Sequence, residues 1–122
     1  MADVLLISSP YRGLLREPLG LYYLAGVLNS NGISASIMDF NVELPSRTRF
    51  REYLKRLRPS IVGVTSYTFN FSAAREIIDE VKRADQSITS VMGGVHASAL
   101  PEEVLKDTPS LDYIVVGEGE LT

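Results

Sequence analysis

Ser60-Ile61-Val62-Gly63-Val64-Thr65-Ser66-Tyr67-Thr68 opens just after Pro59 as an almost unbroken β-branched run, then turns small and polar at Thr65 and Ser66. A run apolar on both faces reads as a strand buried on both sides, the central strand of a parallel sheet. Its small polar end then lies at the carboxyl edge, where open α/β sheets bind their ligands.

Toward the N-terminus, Val4-Leu5-Leu6-Ile7 is a first buried strand, ended by Ser8, Ser9 and Pro10. Pro18 suits the first turn of a helix, where its missing N–H costs nothing. Leu21, Leu24, Ala25 and Leu28 form one helical stripe. Gly20 and Gly26 weaken that helix and are read as letting it sit close to a sheet; Asn31-Gly32 stops it. Ile33, Ala35 and Ile37 alternate with Ser34, Ser36 and Met38, an edge strand ending at Asp39. Phe50, Tyr53, Leu54 and Leu57 predict a helix of about three turns.

Toward the C-terminus, Ser72 is the expected cap of a helix. Its buried face is Ala74, Ile77, Ile78 and Val81; its wet face is Arg75, Glu76, Asp79, Glu80, Lys82 and Arg83. Ile88 to Met92 reads as a fourth strand running into Gly93-Gly94. Pro101-Glu102-Glu103 opens a short helix with acids at its positive end. Tyr113 to Val116 is a fifth strand, ending in Gly117-Glu118-Gly119-Glu120. Strands alternating with helices demand right-handed crossovers. The fold class is α/β: a flavodoxin-like (Rossmann-like) doubly wound five-stranded parallel sheet, strand order 2-1-3-4-5, with its switch point between the first and third strands. No helix follows the fifth strand, so residues 1–122 are read as one domain of a longer protein.

Composition narrows the function. A chain of 122 residues with 45% hydrophobic and 22% charged residues has an ordinary globular make-up. A net charge of −3 gives no general attraction to nucleic acid or anionic lipid. The absence of cysteine removes disulfides, thiolate catalysis and any iron–sulfur cluster held by this chain, and one histidine, His96, makes no metal cage. No signal peptide or membrane span is read, so a cytoplasmic location is expected. Arg47, Arg49, Arg51, Lys55, Arg56 and Arg58 form a basic run, read as a solvated helix face ahead of an acidic partner or a nucleic acid.

Four loops converge on the carboxyl edge. They follow Ser8, Thr65, Gly93 and Val116 and offer hydroxyls, free N–H groups and small residues. Ser66, Gly93 and Gly94 would leave a slot into which a long or flat ligand descends. Plainer readings stand beside this one: Gly93-Gly94 as a tight turn, His96 as a structural histidine, Ser66 as a satisfied strand-end hydroxyl. A dinucleotide fingerprint and a phosphate loop are both missing. A receiver domain's aspartate is missing from the end of the third strand, where Thr65-Ser66 stand.

At these loops the sequence resembles the cobalamin-binding domain that precedes the catalytic barrel in cobalamin-dependent radical S-adenosylmethionine (SAM) enzymes, among them anaerobic magnesium-protoporphyrin monomethyl ester cyclase-like proteins. The resemblance covers nearly the whole chain. It is carried by Pro18-Leu19-Gly20-Leu21-Tyr22-Tyr23-Leu24-Ala25-Gly26-Val27-Leu28, by Gly93-Gly94-Val95-His96-Ala97-Ser98-Ala99-Leu100-Pro101-Glu102-Glu103 and by the closing 112–120 segment. Classical cobalamin domains carry D-x-H-x-x-G in the first loop, its histidine the lower ligand to cobalt. The matching positions here are Ser8, Pro10 and Gly13, of which only the glycine agrees. The resemblance therefore implies cobalamin bound base-off with no protein histidine on cobalt. It places Tyr11, Arg12, Tyr67 and Thr68 near the lower face or corrin rim. Ser66, Gly93 and Gly94 line the tail slot beside Thr65; Val95, His96, Gly117, Glu118 and Gly119 edge the pocket. His96 leaves the fourth strand, not the first loop, so a hydrogen bond to the tail or a corrin amide is expected of it. SAM and a [4Fe-4S] cluster belong to a C-terminal radical SAM domain, the implied partner. Two other readings stay open: a degenerate docking domain that no longer takes cobalamin, and a flavodoxin-like module for another nucleotide.

Overall fold

The computed structural model describes residues 3–10, 19–41, 45–66 and 70–117. Five strands form one parallel sheet: β1 (Val4–Ser8), β2 (Ala35–Asp39), β3 (Ile61–Thr65), β4 (Thr89–Gly93) and β5 (Tyr113–Ile114), in the order β2-β1-β3-β4-β5. The helices are α1 (Leu19–Ser30), α2 (Arg47–Leu57), α3 (Phe71–Ala84), α4 (Val95–Ala99) and α5 (Pro101–Asp107). The expected strand order and edge position of β2 are both found.

Register fixes which side chains share a face. Ile37, Leu6, Gly63, Val91 and Tyr113 align across the sheet, and Leu6 packs with Leu21 and Ala25 of α1. The alternate row of Met38, Ile7, Val64, Met92 and Ile114 meets α2 and α3 through Phe50, Leu54, Ala74, Ile77, Ile78 and Val81. Ile78 and Val81 are fully buried, and each such side chain contributes about 1.5–3 kcal/mol of transfer free energy. A right-handed crossover moving one way from β1, and the other way from β2 onward, puts α1 alone on one face.

That asymmetry corrects the reading of β3. Val62 and Val64 are buried, but Ile61 is 37% exposed. The strand buried along its whole length is β1. The reason is that α1 covers β1 and β2, and no helix among the described residues covers the same side of β3 to β5.

Local signals account for the ends. The end of α1 closes with Ile33 N–H donating to Leu28 O and Gly32 N–H to Asn29 O, the paired bonds of a Schellman stop. Ser46 caps α2 by accepting from Arg49 N–H at 3.2 Å. Pro101 stands in the first turn of α5 with Glu102 and Glu103. Ser72 is not a cap: α3 starts at Phe71 after Asn70, whose side chain turns to another loop. Residues 95–99, read as loop, form the short α4, and β5 stops at Ile114. Gly20 and Gly26 do not serve contact with the sheet, because both are exposed and a Cβ at either meets nothing within 4 Å. Leu21 and Ala25 make that contact instead.

Glu80 is the largest departure on α3. Read as a wet-face residue, it is buried, with its side chain 8% exposed. Arg51 reaches it from α2 at 3.1 Å and Arg83 from α3 at 2.8 Å, with Arg47 at 3.6 Å. Part of the basic run on α2 thus has its acidic partner within the chain. Burial opposes ionisation of Glu80, but the guanidiniums of Arg83 and Arg51 outweigh it and hold the carboxyl below its ordinary range.

Candidate functional site

The carboxyl ends of β1, β3 and β4 present Ser8, Thr65 and Gly93. By the two-residue alternation of a strand, these follow Leu6, Gly63 and Val91 on the α1 side. Beyond the bulk of Leu6 and Val91, the row therefore ends in three small residues. Gly93 keeps open space: a Cβ there meets only Val115 O, at 3.9 Å.

Hydrogen bonds tie the loops above this row together. Ser9 N–H donates to Thr65 Oγ1 at 3.1 Å, and the Ser9 hydroxyl donates to Thr65 O. Asn41 Nδ2, beyond β2, donates to Ser9 O at 3.0 Å and Asp39 Oδ1 at 2.9 Å. Asn70 Nδ2 donates to Pro10 O at 3.1 Å. Ser8, Ser9 and Asn70 are buried. The loops on both sides of the switch point are therefore fixed to one another. Ser9, Asn41 and Asn70 were not singled out by sequence reasoning. The available signal was their chemistry: short polar side chains placed just past strand ends, where they satisfy loop backbone.

Ser66 and Gly94 behave differently from the slot expected of them. Ser66 is fully buried; its N–H and Oγ both donate to Gly93 O, at 2.9 and 3.1 Å. Gly94 has φ +100° and ψ −178°, and a Cβ on it would lie 2.5 Å from Ser66 O and 2.9 Å from Ser66 N. Ser66 O also accepts from His96 N–H at 3.3 Å. Gly94 is thus glycine because the end of β3 presses on the entry to α4. The small-residue opening narrows to Thr65 and Gly93, because at Gly63 the Leu6 side chain lies 3.1 Å from where a Cβ would stand.

The remaining predicted residues divide by position. Pro10 sits on the rim of the first loop, its carbonyl held by Asn70. His96, in α4, lies with its ring centroid 4.5 Å from that of Phe71, tilted by 38°. Val95 contributes the first backbone position of α4. Gly117 N–H donates to Ser98 Oγ at 2.9 Å. Tyr11, Arg12, Gly13, Tyr67, Thr68, Glu118 and Gly119 lie outside the described residues.

This donor set is hydroxyls, carbonyls and amides. No group of three or more His, Cys, Asp or Glu that could hold a metal ion occurs among the described residues. Such groups can hydrogen-bond the polar atoms of a ligand. A groove of about 470 Å³ lined by Phe40, Phe50, Ile77 and Glu80 lies on the other face, between α2 and α3. It reaches Pro10 of the first loop, and of its lining carboxylates Glu76, Asp79 and Glu80 the buried Glu80 is already paired to arginines. No helix among the described residues is long and apolar enough to cross a membrane.

Known proteins match this chain in sequence and in fold. The family described as B12 binding domain matches residues 4–122. An anaerobic magnesium-protoporphyrin IX monomethyl ester cyclase of Rubrivivax gelatinosus is 36% identical over 104 residues, 84% of this chain and 19% of its own length. An uncharacterised methyltransferase of Pyrococcus horikoshii is 33% identical over 110 residues, 90% of this chain and 24% of its own length. The chain therefore spans about a fifth to a quarter of these curated relatives. The solved radical SAM methyltransferase TsrM of Kitasatospora setae, with cobalamin and a [4Fe-4S] cluster bound, superposes with a TM-score of 0.80 at 27% identity, over 98% of this chain and 23% of that one.

Proposed function

The chain belongs to the B12-binding domain family, and from that premise we propose that it binds cobalamin base-off, without a protein histidine on cobalt, and presents it to a C-terminal radical SAM domain. The observation that carries the reading is the pair Thr65 and Gly93 on the α1 side, where the space beside Gly93 is open next to a strand-end hydroxyl. Thr65 and the backbone around Gly93 would hold the detached nucleotide arm, and the loop residues Tyr11, Arg12, Tyr67 and Thr68 would meet the corrin. Glu118 and Gly119, past β5, would close the rim with Gly117 and His96. When bound, the cofactor supplies a redox-active cobalt whose axial ligation tunes it. Pro10 stands where the classical motif has its histidine and carries no side-chain donor. Pro10 would then supply no ligand to a bound cobalamin.

The parent protein on this reading is a radical SAM enzyme of methyltransferase or cyclase type, in the cytoplasm. Its SAM and [4Fe-4S] sites lie outside this cysteine-free chain. The closure of Ser66 on Gly94 favours one alternative, a docking domain that has lost the vitamin. Titration with hydroxocobalamin separates the two. A base-off visible spectrum that survives His96→Ala, and is abolished by Gly93→Val with the melting temperature held within a few degrees, supports the proposal. A base-on spectrum, a change of axial ligand in His96→Ala, or no binding at millimolar vitamin overturns it.

A further inference from the structure

The side of the sheet that carries α1 differs from the rest of the molecule. From Pro18 through Met38 the sequence has no charged residue. Tyr22 is 47% and Tyr23 69% exposed on the outer surface of α1. On the same side of the sheet, Ile61 of β3 is 37% and Tyr113 of β5 63% exposed. The opposite layer is charged throughout its outer surface, with arginines and carboxylates along α2 and α3. Single exposed apolar residues mean little, but a contiguous uncharged side marks a contact surface.

Gly26 supplies the second observation. It sits mid-helix, exposed, three and four residues from Tyr23 and Tyr22, with open space where a Cβ would be. Glycine weakens a helix, and nothing among the described residues requires it at that point. A notch between two tyrosines is explained by the close approach of another backbone. A membrane surface is disfavoured, because interfacial helices carry lysine or arginine on their polar face and α1 has neither. The occupant is argued from the relatives: this chain covers 23% of the radical SAM methyltransferase it superposes on, and more than three-quarters of each curated relative lies outside the matched part.

We propose that the outer surface of α1, centred on Tyr22, Tyr23 and Gly26, is the face on which the radical SAM domain of the full-length polypeptide packs. This rests on the partner assigned under the proposed function. The test compares tyrosine iodination, read by peptide mass spectrometry, in residues 1–122 and in the full-length natural polypeptide. Tyr22 and Tyr23 are expected to label about tenfold more slowly in the full-length protein, with Tyr53 of α2 unchanged. Gly26→Leu is expected to raise the melting temperature of residues 1–122 by about 4 °C. In the full-length protein the same substitution should return Tyr23 labelling to within about twofold of the isolated chain. Equal labelling in both lengths overturns the proposal, as does protection that survives Gly26→Leu. Protection that grows with the concentration of residues 1–122 makes a second copy the occupant and also overturns it. Cluster absorbance and cobalamin content of the same full-length sample separate the two failures. Cluster and vitamin present with Tyr22 and Tyr23 unprotected refutes the face alone; protection without a cluster refutes the radical SAM occupant.

Discussion

Gly94→Ala is expected to destabilise the domain by about 4 kcal/mol, although it adds one methyl group. Two costs combine. At φ +100° and ψ −178° the backbone lies in a region open essentially to glycine alone, which costs about 1–3 kcal/mol for any other residue. The new Cβ would also lie 2.5 Å from Ser66 O, a backbone atom that cannot swing away. Relieving such an overlap by shifting β3 or α4 costs about 1–3 kcal/mol more. The unfolding entropy of a 122-residue chain, at about 2.1 cal/mol/K per residue, is about 0.26 kcal/mol/K. Each kcal/mol is therefore worth about 4 °C, and the loss about 16 °C. The assay is thermal unfolding of residues 1–122 by circular dichroism, with two glycine controls. Gly117→Ala has the positive φ, +75°, but open space, so backbone strain alone should cost it about 4 °C. Gly93→Ala has neither constraint and should stay within about 2 °C of the parent. A Gly94→Ala protein melting within about 3 °C of the parent would refute the argument that Ser66 dictates this glycine.

Four further outcomes follow from other contacts. Glu80→Gln should lower stability by about 2 kcal/mol at pH 7, read by urea unfolding, because the Arg51 and Arg83 bonds lose their charge. The folded-state pKa of Glu80 is depressed, so its contribution is complete above the unfolded value near 4.5 and disappears as pH falls through the folded one. The difference between parent and Glu80→Gln melting temperatures should shrink below that pH and vanish in strong acid; a constant difference refutes it. Thr108→Val should raise the melting temperature by about 4 °C, since the Thr108 hydroxyl is fully buried and finds no hydrogen-bond partner among the described residues. Arg58→Gly should be neutral to stabilising by about 1 kcal/mol in the same melts, because Arg58 closes α2 at φ +49°, ψ +55°.

Much of this architecture is legible in the residues. Strand order follows from the alternation of apolar runs with helical stripes, because crossover handedness leaves few ways to arrange them. Phe50, Leu54, Ile77 and Val81 fall inside as their spacing requires, and Asn31-Gly32 stops α1. Some local guesses fail where a long-range partner decides. Ser72 is a good cap by type, but Asn70 is needed at the first loop and α3 starts beside it. Glu80 has the spacing of a solvated residue, yet two arginines drawn from distant and near positions let it stay ionised while buried.

What the sequence settled by itself is the periodicity: five strands, their helices, a sheet whose carboxyl edge gathers glycines and hydroxyls, and the absence of any thiol. Those properties are local, set by side-chain size and backbone preference within a few residues. Only the tertiary structure separated the two glycines at the end of β4, giving Gly94 to the packing of Ser66 and leaving open space beside Gly93. Only it showed that no helix among the described residues covers one side of β3 to β5, beside an uncharged helix. Neither fact is encoded at its own position, because each depends on which backbone, from tens of residues away, arrives within van der Waals reach.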